Sequence, residues 1–222
     1  MNRLLAGFIC FWAFSGPAAA QMQVPQGCTA LATVHKNSCA VSTIMDCGQT
    51  LLVRGFRDGH ADSASVYDGN WGMLEFLYRA NAETRFTLKP GSGEKLDLDK
   101  LISDGVATEN GIFLFNTRVV KNREFNFEGQ YTLGDEEVVL DGHSFRKGTV
   151  LREMERDGIE GSKIGFGLDL LVSDDLNLMI EGNITRHFEG QDSLTVDQTP
   201  RAIRFPDQPG FLATKSEFGC DG

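Results

Sequence analysis

KIGFGLDLLVSDDLNLMIEGNITRHF, residues 163–188, decides how the chain is read. Apolar side chains recur at every second position on both sides of Ser173-Asp174-Asp175, the period of a half-buried strand rather than of a helix. With those three residues as the loop, Val172 faces Leu176, Leu170 faces Leu178, Leu168 faces Ile180, Phe166 faces Gly182 and Ile164 faces Ile184. That face is apolar throughout, and Phe166 is placed to cover the bare backbone of Gly182. The opposite face pairs Asp169 with Met179, Gly167 with Glu181 and Lys163 with Thr185. The stretch is therefore expected to be a long antiparallel hairpin.

The same rhythm runs outward along the chain. In REFNFEGQYTL (123–133), Phe125, Phe127, Tyr131 and Leu133 share one parity with Gly129, while Glu124, Asn126, Glu128, Gln130 and Thr132 share the other. This predicts a strand with one wet face. Shorter alternations occur at 43–47, 50–56, 73–80, 84–90, 111–120, 136–142, 149–155 and 201–205. Gly-, Asp- and Pro-rich punctuation separates them, including RDGHADS, LGDE and LDGH. One helix is predicted in KLDLDKLISDG (95–105), where Leu98, Leu101 and Ile102 share a face and Gly105 stops it. The fold class expected is all-β: an antiparallel β-sandwich or half-barrel of about ten strands with at most one or two short helices.

MNRLLAGFICFWAFSGPAAA (1–20) has Arg3, an apolar run from Leu4 to Phe14 and small residues up to Ala20, the pattern of a cleaved signal peptide. Residues 21–222 then form a single β-rich domain in the periplasm or outside the cell. The apolar run is shorter than the ~20 residues of a spanning helix, and no later segment approaches that length. The formal net charge of −10 argues against nucleic acid and anionic headgroup surfaces as partners.

After cleavage the cysteines are Cys28, Cys39, Cys47 and Cys220, an even set that suits two disulfides in an oxidising compartment. If residues 39–47 are extended, Cys39 and Cys47 stand ~26 Å apart, far beyond the ~7 Å of a bridge. A hairpin loop at His35–Ser38 brings Cys28 near Cys47. This favours Cys28–Cys47 with Cys39–Cys220. The alternative, Cys28–Cys220 with Cys39–Cys47, needs a turn at Ser42-Thr43.

The hairpin GLDLLVSDDLNLMIEGN resembles those of bacterial outer-membrane barrels, and a signal peptide and acidic balance suit that family. The resemblance covers about 25 residues and implies a small membrane barrel as an alternative architecture. Four cysteines, the ending Phe218-Gly219-Cys220 and the lack of repeated ten-residue arms over 28–110 depart from the family.

Chemistry is sparse. Asp58, His60 and Asp62 alternate in DGHAD and would converge on a metal if that stretch were extended, as in a metal-dependent periplasmic enzyme. A polar surface loop is the simpler reading. His35 is expected in a hairpin loop and His187 on a wet strand face. Ser92 and Lys95 match S-x-x-K without the companion motifs of that chemistry. Asn183 begins a glycosylation sequon. No motif requires a cofactor.

Sixteen phenylalanines against two tryptophans and three tyrosines is a strong bias. They either fill the space between sheet walls or line a cavity for an apolar ligand. The function expected is that of an exported, non-enzymatic binding or envelope-associated protein whose partner is an apolar small molecule or an envelope protein. Amino-terminal sequencing of the exported protein is expected to begin at Gln21; an intact Met1 terminus would refute the cleavage assignment.

Overall fold

The computed structural model describes residues 21–78, 84–159, 162–188 and 192–220. The expected signal peptide lies outside them. The strands are β1 (Thr29–Lys36), β2 (Ala40–Asp46), β3 (Thr50–Arg57), β4 (His60–Asp68), β5 (Met73–Tyr78) and β6 (Arg85–Leu88). Helix α1 (Leu98–Asp104) follows, then β7 (Val106–Asn116), β8 (Arg123–Leu140), β9 (His143–Arg156), β10 (Ile164–Ser173) and β11 (Leu178–Phe188). Two short strands, β12 (Leu194–Val196) and β13 (Pro200–Arg204), complete one thirteen-stranded antiparallel sheet curled as a half-barrel. The all-β half-barrel is thus as expected, with more strands than the ten or so that alternation alone resolves.

The strands follow chain order from β1 to β12, and β13 pairs with the free side of β1. The sheet edges are therefore β12 and β13, which only Asp197, Gln198 and Thr199 separate. Three linking residues span at most about 14 Å, so the sheet must curl until its edges face each other. Side chains bridge the seam. Asn37 donates through Nδ2 to Asp197 (2.9 Å) and through its backbone N–H to the Thr199 carbonyl (3.0 Å). The Asn183 Oδ1 accepts from Gln198 N–H (2.9 Å) and Thr199 Oγ1 (3.1 Å). Asn183 is thereby built into the closure.

Two connections are two-residue turns. Asp58-Gly59 (φ 49° and 79°) joins the paired Arg57 and His60, and Asp141-Gly142 (φ 47° and 87°) joins Leu140 and His143. Positive φ at both central positions suits the right-handed twist of the flanking strands, and Asp-Gly tolerates it. The expected turn at LGDE does not form; β8 continues through it. Its ladder with β9 shifts between Leu133 and Glu137. There the Arg146 guanidinium donates to the Gly134 and Ile102 carbonyls (both 3.1 Å). The first stands in for a missing ladder partner, and the second satisfies a carbonyl in the last turn of α1.

The hairpin of residues 163–188 forms, in a different register. Its loop is Asp174–Asn177, closed by Asn177 N–H on the Asp174 carbonyl (3.2 Å) with Asn177 at φ 49°. Ser173 pairs with Leu178 and Leu170 with Glu181; a bulge then brings Leu168 opposite Ile184 and Phe166 opposite Arg186. The shift places Glu181 beside Leu170 on the inward face, and Gly182 abuts Asp169 and Pro200 rather than Phe166. An all-apolar register is not required because a buried guanidinium waits for the carboxylate, as described below.

Helix α1 stops at Gly105 as its sequence predicts, and Asp97, not singled out in the sequence, caps its start. The Asp97 carboxylate accepts from Lys100 N–H (3.2 Å), and Gly105 (φ 74°) donates to the Leu101 carbonyl (3.0 Å). Its buried Leu98 and Leu101 join the main core with Trp71, Phe113, Phe127 and Phe145. A second cluster, Met22, Ala30, Met45 and Phe56, lies under the two terminal segments. Met22 N–H donates to the Leu212 carbonyl (2.8 Å). His35 is not in a loop but fully buried on β1. Its Nδ1 accepts from Glu217 N–H (3.2 Å), which leaves Nε2 to donate to the Gly210 carbonyl (2.9 Å).

The disulfides are Cys28–Cys47 and Cys39–Cys220, the pairing that the extended geometry of 39–47 favours. The second spans 181 residues and ties the C-terminal segment to the β1–β2 turn. Replacing Cys39 and Cys220 together by serine is expected to lower unfolding stability by about 2–5 kcal/mol in urea titrations. A loss below ~1 kcal/mol would mean that hydrogen bonding alone holds that segment.

Candidate functional site

The concave side of the curled sheet is not uniformly apolar. A belt of polar side chains crosses it, centred on Arg152 of β9, which is 6 % exposed. Its Nε and Nη2 donate to the Tyr131 hydroxyl (3.2 and 2.9 Å), and Nη1 donates to Glu181 (2.6 Å). Tyr131 in turn donates to Glu109, whose carboxylate also lies 3.5 Å from Arg152 Nε. Tyr67 donates to the same Glu181 oxygen (3.2 Å). The belt therefore joins β4, β7, β8, β9 and β11. Gly129 makes room for it: a Cβ there would stand 2.7 Å from Glu109 Cγ.

The electrostatics are those of a satisfied buried network. Burial pushes the Tyr67 and Tyr131 hydroxyls above their usual range, so both remain protonated donors. Burial also works to raise the Glu181 carboxyl, but Arg152, Lys36 and Tyr67 outweigh it and hold that group below the usual range. Removing one partner from such a network typically costs about 3–5 kcal/mol because the other charge is stranded. Every group of the belt is bonded to another, an arrangement suited to holding shape.

Two cavities flank Arg186, which lines both. One, of about 360 Å³, runs between β1–β4 and β11 and carries Lys36, Arg57, Asp62, Tyr67, Glu181 and Ser65 among apolar neighbours such as Ile44 and Val53. The other, of about 300 Å³, is walled by Phe76, Phe86, Phe115, Phe125 and Phe166 with Met154 and Ile164. Its rings hold one another: Phe76 stacks on Phe86 at 4.4 Å, and Phe86 meets Phe115 at 4.7 Å and Phe125 at 5.7 Å. Such contacts favour fixed ring positions over collapse. The phenylalanines thus divide between packed core and cavity wall. Phe113, Phe127 and Phe145 are buried as core, while the five half-buried rings face open space.

Of the residues singled out in the sequence, Asp58 forms the β3–β4 turn, His60 is exposed, and Asp62 stands 3.8 Å from Arg57. No group of three or more metal-ligating side chains gathers among the described residues. The Ser92 hydroxyl donates to the Lys89 carbonyl (2.7 Å) and accepts from Ile112 N–H (3.0 Å), and Lys95 pairs with Asp68. Both are thus committed to structural contacts. His187 is exposed on β11 as expected, with Nδ1 2.7 Å from the Ser193 hydroxyl. His143 packs its ring against Phe205 at 4.8 Å.

The belt itself escapes motif reading, yet it leaves a trace. Arg152 shares parity with Val150 and Met154, and Glu109 with Ala107 and Phe113, so each is a charge on an apolar face. Comparison of the chain with protein-family models, with curated proteins and with solved structures gave no match.

The Glu181 linkage has a definite sign. A carboxyl held low by folding stabilises the protein above its unfolded pKa of about 4.3 and loses that contribution as pH falls through the folded value. Urea unfolding from pH 6 to pH 3 is expected to show wild type losing more stability than Glu181→Gln. Parallel curves would refute the coupling.

Proposed function

We propose that the chain is an exported, non-enzymatic binding protein that holds an apolar ligand in the phenylalanine-walled half of its interior. The observation that carries this reading is the cavity of about 300 Å³ bounded by five phenylalanines, Met154 and Ile164. That volume is at the lower end of the ~300–1,000 Å³ of small-molecule sites, which are mostly apolar with a few placed polar groups. An open apolar hollow is costly to leave beside a core that could have closed on it. The polar belt supports the reading, because its groups bond to one another from β4 to β11 and so fix the walls of the interior.

The outer surface supports a water-facing protein. Along β8 the outward side chains Asn126, Glu128, Gln130 and Thr132 are exposed. A lipid-facing barrel demands an apolar band there. Two disulfides suit an oxidising compartment.

Titration with the apolar fluorophore N-phenyl-1-naphthylamine is expected to give saturable, single-site enhancement. Phe166→Asp should weaken it by about tenfold or more, since a carboxylate would have to be desolvated in the cavity wall. Gln130→Asp, on the outer face, should leave it unchanged. Absence of saturation, or equal binding by Phe166→Asp, would sink the proposal.

A further inference from the structure

The second cavity carries an unused cation. Lys36, at the end of β1, is 4 % exposed and lines that cavity. Among the described residues its ammonium group has no hydrogen-bond or ion-pair partner. The acids near it are committed elsewhere: Glu181 of β11 bonds to Arg152 of β9 at 2.6 Å, and Asp62 of β4 lies 3.8 Å from Arg57 of β3. An unpaired lysine is seldom buried, because desolvating the ammonium disfavours its charge. Here burial lowers its pKa to about 8, against the attraction of Glu181 and with the repulsion of Arg57. Lys36 is therefore mostly cationic at neutral pH where it lines the cavity.

The cation and the apolar cavity lie at one end of the molecule. In a sequentially ordered antiparallel sheet, odd-numbered strands end where even-numbered strands begin. Lys36 and Arg57 end β1 and β3, Ile164 begins β10, and Arg186 is near the end of β11. All four sit at the same rim, with Arg186 between the cavities. The cationic cavity thus opens beside the phenylalanine wall, in a chain whose net charge is −10.

We propose that the interior receives a single-chain anionic amphiphile, its acidic head beside Lys36 and its hydrocarbon chain among Phe76, Phe86, Phe115, Phe125 and Phe166. This rests on the apolar-ligand reading above and adds the head group. A carboxylate or phosphate head supplies the direct partner that Lys36 lacks, and a charge-assisted bond to a buried ammonium is strong. One chain suits a cavity of about 300 Å³.

Isothermal titration of the full signal-free protein with dodecanoate, dodecyl phosphate and dodecanol tests this. Dodecanoate, dodecyl phosphate or both should bind about tenfold or more tightly than dodecanol at pH 7, and the stronger of the two identifies the head. Lys36→Met should remove that preference while dodecanol binding stays within about twofold, and Lys36→Arg should retain most of it. The preference should also fade between pH 7 and pH 9.5 as Lys36 loses its proton. Arg57, Arg186, Asp62, Glu181 and Tyr67 line the same cavity; Glu181, held low, stays ionised over that range, and Tyr67, pushed up, stays neutral. Dodecanol binding as tightly as both anions in wild type overturns the head-group assignment and leaves the apolar site standing. No binding of any of the three overturns both. The wild-type comparison decides the question even if Lys36→Met fails to fold.

Discussion

One buried guanidinium organises this protein. Arg152 is almost fully removed from water, and its charge is affordable only because Tyr131, Glu109 and Glu181 all meet it. Those partners come from β8, β7 and β11, and Tyr67 joins from β4 through Glu181. A charge so deep stabilises little in itself, since its desolvation offsets most of the attraction. What it supplies is specificity of shape. It ties the neighbouring strands β7, β8 and β9 to β11, and through Glu181 to β4, by an arginine, two tyrosines and two glutamates.

The hollow interior adjoins that belt. Below the belt Phe145 packs in an ordinary core, and above it the buried Phe113 and Phe127 adjoin Phe125 and Met154 of the cavity wall. There the remaining rings support one another without filling the gap. The register of the β10–β11 hairpin belongs to the same arrangement. A four-residue loop turns Glu181 inward to Arg152, where a three-residue loop would have turned it out, and the bulge beyond it sets Ile184 opposite Leu168. The hairpin gives up an unbroken apolar face, and the belt gains its second carboxylate.

Closure is achieved by different means. The sheet edges meet across three residues, where Asn37 and Asn183 replace ladder bonds with side-chain bonds. The C-terminal segment then lies over the outer face of β1–β3, held by His35 and by Cys39–Cys220. The termini thus cover an apolar patch that would otherwise be exposed beside the seam.

Much of this was legible in the chain itself. Period-two alternation dictates strands because successive side chains point to opposite faces, and that holds whatever the strands later pack against. The Asp-Gly turns, the helix that stops at Gly105 and the favoured disulfide pairing were readable for the same reason: each depends on neighbours in sequence or on simple reach. Register, curl and hollowness were not, because they depend on which residues meet across the interior. Glu181 read as a wet-face residue until Arg152, 29 positions away, stood opposite it, and His35 read as a loop residue until the C-terminal segment covered it. Local pattern determined that this chain makes strands; only the long-range pairing of buried charges decided what space those strands enclose.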